Sequence, residues 1–130
     1  MVSWRMLWGI ALGGALGTLA RWGIGAWAQR FSAEFPYGTL TINVIGSLIL
    51  GFLLRYMTQT NAAPELRAAL TIGFCGGFTT FSTFSYEAAR LLEDGSTLRA
   101  VTYMAASVLL SLGAVFVGFA AARAMLAAPK

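Results

Sequence analysis

Gly73-Phe74-Cys75-Gly76-Gly77-Phe78-Thr79-Thr80-Phe81-Ser82-Thr83-Phe84-Ser85-Tyr86-Glu87 is the most telling stretch of the chain. Its surroundings are apolar, yet it departs from every rule for an ordinary spanning helix. The adjacent glycines weaken a helix by about 1 kcal/mol each relative to alanine. Five Ser and Thr hydroxyls and a carboxylate follow within ten residues, interleaved with aromatic rings. In hydrocarbon an unpaired polar group costs several kcal/mol, so irregular backbone survives only where it lines a cavity or binds something. Function is expected here.

The rest of the chain supplies the hydrocarbon argument. Of 130 residues 58% are hydrophobic and 11% charged, against about 25% charged in a soluble domain. A surface so poor in charge belongs in a bilayer. There is no His and a single Cys, Cys75, which excludes an internal disulfide, a Cys/His zinc site and a His-based triad. No nucleophile–base pair or metal cluster suggests an enzyme. The net charge of +4 comes from scattered arginines without a run, so no nucleic-acid partner is expected.

On either side of that stretch, residues 1–130 read as one transmembrane domain with helices over about 4–28, 39–57, 65–92 and 98–125. Each is long enough to cross a core of ~30 Å. In the first, Gly9, Gly13 and Gly17 form one stripe, which suits close backbone approach, and packing within the chain is preferred to a subunit contact. Arg21 continues that stripe. It either snorkels to the headgroups or stands at the mouth of an anion pathway. Pro36 and Gly38 break the chain, and Thr39 is placed to cap the second helix. Asn43 interrupts that helix, either as a structural bond between helices or as a donor to an anion. Ser47 and Gly51 make a small-residue pair. In the fourth helix Tyr103, Ser107 and Ser111 make a polar stripe on an apolar rod.

Four spans put both termini on one side, with Arg5, Arg55, Arg67, Arg123 and Lys130; the other side carries Arg30, Arg90 and Arg99, plus Arg21 if it snorkels there. A balance this even gives little positive-inside bias, so the chain inserts both ways up. The expected architecture is all-α and integral to the membrane: four transmembrane helices, the third broken near its middle, in an antiparallel dual-topology homodimer.

If the third helix unwinds from Gly76 to Thr79, its freed carbonyls suit a small hard cation such as Na+. The half-helix from about Thr80 then presents a positive end inside the bilayer. Phe81 and Phe84 share a face of it, and rings turned edge-on hold a small anion without a formal charge. Phenylalanines alone usually pack against lipid. The hydroxyls of Thr79, Thr80, Ser82, Thr83 and Ser85 show that this region does more.

Together these pieces resemble the small microbial fluoride channels of the Fluc, or CrcB, family. The matching residues are Gly13-Gly14-Ala15-Leu16-Gly17 with Arg21, Gly38-Thr39-Leu40-Thr41-Ile42-Asn43 with Gly46-Ser47, and the stretch from Gly73 to Ser85 ending in Glu87. The resemblance spans all four segments. It implies passive export of fluoride that entered the cell as HF, through two pores of an antiparallel homodimer in the cell inner membrane, with a structural Na+ that is not transported. By matching positions Phe81 and Phe84 look like the fluoride-contacting rings, and Asn43 like the pore amide. Arg21 looks like the vestibule arginine, and Tyr103, Ser107 and Ser111 like the polar track. Gly76 and Thr79 look like the carbonyl pair that holds Na+. Thr83 is counted with the same fluoride pathway.

The main rival is a small proton-coupled multidrug-type exporter, which needs a central carboxylate. Only Glu87 is available. A non-transporting subunit that binds through its glycine stripe would leave the broken helix without a purpose.

Overall fold

The computed structural model describes residues 3–31 and 33–128, and among these the regular structure is entirely helical. Lys130, one of the charges assigned to the terminal side, lies outside them. Helix α1 (Trp4–Gln29) begins at Ser3, whose hydroxyl accepts from Met6 N at 3.2 Å. Gln29 closes it and shapes the connection to the second helix: Nε2 donates to Phe35 O and Oε1 accepts from Gly38 N, both at 3.1 Å. The second bond satisfies a free N–H at the start of α2 (Tyr37–Gln59). Thr39 is therefore not the cap. The helix starts earlier, directly after Pro36, and the Thr39 hydroxyl donates to Glu87 instead.

The third segment is a composite. Helix α3 (Pro64–Ala68) has Pro64 and Glu65 in its first turn, where proline lacks only an orphan N–H and glutamate complements the dipole. It widens into a π-helical stretch, Ala69–Cys75, and narrows again in α4 (Gly76–Phe78). Thr79 and Thr80 are extended, with ψ of 157° and 118°. Helix α5 (Phe81–Glu93) resumes after them. A turn with Gly95 at φ +74°, where glycine is unstrained, leads to α6 (Thr97–Ala127).

The break is thus narrower than the glycines suggest, and displaced from them. Gly76 and Gly77 stay helical, and the two threonines open. Gly77 serves close packing: a Cβ there would come 2.5 Å from Gly14 O. Gly73 does the same against Ile10 O, at 2.7 Å. From the α1 side, Cβ atoms at Gly13 and Gly17 would strike Ala69 O and Phe74 O. The glycine stripe is filled within the chain. Helices α2 and α6 run side by side in the same direction, with Gly51 against Val115 and Gly118 against Leu48 and Phe52.

Helices α2 and α6 are each long and apolar enough to cross a membrane. Only 28% of the apolar window in α2 and 11% of that in α6 is buried inside the protein. A core helix of a soluble protein would be mostly covered; an uncovered apolar helix needs hydrocarbon as its solvent. Helix α1, with 26 residues, is about 39 Å long, and it exposes Trp4, Trp8 and Trp22 towards its ends.

Candidate ion site at the broken helix

The break is held by a clamp. Thr79 N makes the last bond of the preceding helix, to Cys75 O at 3.0 Å, and its hydroxyl donates to the same carbonyl at 2.9 Å. A continuous helix would next pair Thr80 N with Gly76 O. Instead Thr80 N donates to Asn43 Oδ1 at 2.8 Å, and Asn43 Nδ2 donates back to Thr80 O at 3.0 Å. One side chain on α2 thereby satisfies both backbone groups of the residue that leaves the helix. Thr80 also caps α5: its hydroxyl accepts from Thr83 N at 3.2 Å and donates to Thr83 Oγ1 at 3.0 Å. Of the two readings of Asn43, the bond between helices is present, and an amide has two N–H groups, so one remains for the adjoining space. Arg21 reaches towards the break, with Nη1 3.5 Å from Thr79 O.

Beside the clamp lies an open groove of about 310 Å³ whose lining includes Asn43, Thr79, Phe81, Phe84, Ser107 and Ser111, and no charged side chain. The Phe81 and Phe84 rings are 5.4 Å apart with planes at 41°. Ser107 is buried, and among the described residues its hydroxyl has no hydrogen-bond partner. A buried polar atom left alone calls for an explanation, and here it belongs to a residue that lines a groove. Behind the rings, Tyr103 is fully buried with its ring 5.3 Å from that of Phe84. Its hydroxyl donates to Glu87 Oε2 at 2.7 Å, and Thr39 Oγ1 donates to Glu87 Oε1 at 2.9 Å. Glu87 is half-buried and has the donors that its position demands.

The groove therefore gathers Asn43, Thr79, Phe81, Phe84, Ser107 and Ser111, with Tyr103 backing it. Thr83 and Arg21 are not in it. They line a neighbouring groove of about 480 Å³ with Thr39 and Glu87. Gly76 is also outside the lining, exposed on the chain's surface. Two contributors escape a reading of the sequence alone: Ser47, which its spacing assigns to packing, lines the first groove, and Thr39 serves Glu87. A signal exists. Thr39, Asn43 and Ser47 recur every fourth residue on α2, the spacing of Tyr103, Ser107 and Ser111 on α6. Since the helices are parallel, the two stripes face each other in register.

The family model described as CrcB-like protein, camphor resistance (CrcB), matches residues 8–119. This chain belongs to the CrcB-like family. It is 51% identical over 116 residues to a Geobacter metallireducens protein named fluoride-specific ion channel FluC, covering 88% of this chain and 94% of the relative. A protein of the same name from Rhizobium meliloti is 48% identical over 118 residues, or 89% and 94% of the two chains. Another from Sorangium cellulosum is 46% identical over 125 residues, or 95% and 98%. The glycine stripe, both polar stripes and the break all fall inside the CrcB-like match. Together with the uncovered apolar faces of α2 and α6, this makes the CrcB-like chain a membrane protein.

Proposed function

We propose that the protein is a passive fluoride channel, working in the cell inner membrane as an antiparallel homodimer with two pores. The carrying observation is the groove beside the broken helix: hydrogen-bond donors and two aromatic rings converge there without any charged side chain. The spare N–H of Asn43, the unpartnered Ser107 hydroxyl and Ser111 supply donors, and the rings of Phe81 and Phe84 supply positive edges. The N-terminal end of α5 adds the positive end of its dipole. A site neutral in sum binds a small anion without trapping it, as conduction requires. Fluoride is chosen because the relatives are named fluoride-specific channels. On this reading Arg21 attracts anions to the break from the adjoining groove, while Tyr103 and Thr83 continue the polar path towards Glu87.

The same reading gives the dimer a structural Na+ held by the carbonyls of Gly76 and Thr79. Two features favour it. Thr80 N is taken by Asn43, so Gly76 O has lost its helical donor, and a Cβ at Gly76 would meet nothing within 4 Å. Thr79 O belongs to an extended residue and, among the described residues, has only the long contact with Arg21. A carbonyl has two lone pairs, so each retains capacity for a hard cation, and two inverted chains would supply four such oxygens. When bound, the ion would tie the two breaks together. The evenly divided arginines support inverted copies.

A proton-coupled exporter using Glu87 is the weaker alternative. Both oxygens of that carboxylate are already engaged, by Thr39 of α2 and Tyr103 of α6, so it ties helices together instead of standing open to a substrate. The relatives carry channel names, and we read this chain likewise as a channel and not an enzyme. Efflux from liposomes containing the purified chain tests the proposal: fluoride should leave rapidly and chloride should not. Equal rates, or no flux of either ion, would refute it.

A further inference from the structure

We propose that Arg55 and Arg123 form a binding site for a phosphate group, specifically that of an anionic lipid headgroup. They stand at the C-terminal ends of α2 and α6 and line a cavity of about 340 Å³ with Gln59, Leu126 and Ala127. Neither guanidinium has a carboxylate partner among the described residues, where the ion pairs use Arg90 and Arg99. Their proximity is built in. The close crossing at Gly51 and Gly118 fixes the two helices one turn below, and Arg55 continues the Gly51 stripe. Two neighbouring guanidiniums repel each other until an anion lies between them, and their planar forks match phosphate oxygens.

Depth and surroundings favour a lipid as the source. Asn43 to Arg55 and Ser111 to Arg123 are both twelve residues, or about 18 Å of helix. With the broken-helix groove at mid-membrane, a half-core of about 15 Å brings both arginines out at the phosphates. Phe116 and Leu112, on the Arg123 face of α6, and Leu48, on the Arg55 face of α2, are all exposed and run back towards the membrane centre as an acyl chain would. The negative ends of two helices oppose an anion here, so binding depends on the arginines. The inference rests on the membrane-spanning reading but not on fluoride conduction.

The test is retention of lipid by the purified full chain in detergent, followed by native mass spectrometry with phosphatidylglycerol, phosphatidylcholine and inorganic phosphate as separate probes. Phosphatidylglycerol should be retained over phosphatidylcholine. Arg55→Gln with Arg123→Gln should weaken its binding about 30-fold, at roughly fivefold per charge near the surface. Arg55→Lys with Arg123→Lys, which keeps charge but loses the fork, should weaken it severalfold. Arg5→Gln with Arg67→Gln, the same loss of charge at the same end, should leave it within a factor of two. Wild-type retention by the double Gln variant overturns the site. Should that variant fail to fold, absence of lipid preference in the wild type or full binding by the Lys variant overturns it equally. Displacement of the lipid by millimolar phosphate assigns the cavity to a free anion and overturns the lipid assignment. Flotation with phosphatidylcholine vesicles checks bilayer insertion separately, so a chain that floats without lipid preference fails this inference alone.

Discussion

Replacing Asn43 by alanine removes both partners of Thr80 at once. The two bonds, at 2.8 and 3.0 Å, satisfy an N–H and a carbonyl on a buried residue. A buried polar group left without a partner costs about 1–3 kcal/mol, so the pair sets a range of about 2–6 kcal/mol. The groove beside Thr80 is open on one side, so water replaces part of what is lost, and the expected destabilisation is about 2–3 kcal/mol. Unfolding of purified protein in a single detergent, followed by circular dichroism, measures it. Ser47→Ala is the control: Ser47 lines the same groove without holding the break, and its loss should stay within about 0.5 kcal/mol. Because Phe81 follows Thr80 directly, Asn43→Ala should also abolish fluoride flux. An Asn43→Ala protein as stable as the wild type would refute the reasoning and assign the break to packing against α1.

Five other substitutions have outcomes set by the geometry. Phe81→Ile or Phe84→Ile keeps bulk and removes the ring edge, so liposome fluoride flux should collapse while the unfolding midpoint holds. Gly17→Val drives a side chain into Phe74 O and should destabilise by about 1–3 kcal/mol or prevent folding; Gly23→Ala, which meets nothing within 4 Å, should be neutral or slightly stabilising. Glu87→Gln replaces one acceptor oxygen by a donor facing Thr39 or Tyr103. The lost charged bond predicts about 1.5–3 kcal/mol of destabilisation in the same unfolding assay.

Sequence reveals what repeats along one helix, and conceals which helix answers it. Gly9, Gly13 and Gly17 announce a close contact by spacing alone, and Tyr103, Ser107 and Ser111 announce a polar face. The break is announced too, by glycines beside hydroxyls. Its position shifts from the glycines to the threonines because glycine permits unwinding and close packing alike, and Gly14, some sixty residues away, decides for packing. The π-helical turn over Ala69–Cys75 has no signature in residue type. Asn43 leaves two readings open because its partner, Thr80, lies 37 positions on. Thr39 resembles a cap because a threonine after Pro and Gly so often is one; Gln29 has already taken that task.

The clamp also fixes an order of assembly. A chain threaded into a bilayer from its N-terminus delivers α2, and with it Asn43, before Thr80 leaves the ribosome. The backbone groups that leave the third helix therefore enter hydrocarbon with their partner already in place. Glu87 has no such advance arrangement for its second oxygen, because Tyr103 is synthesised later. Until α6 arrives, Thr39 alone serves that carboxylate. Biogenesis thus has a vulnerable interval, between emergence of α5 and docking of α6, and a ribosome stalled there would leave a half-satisfied acid inside the membrane.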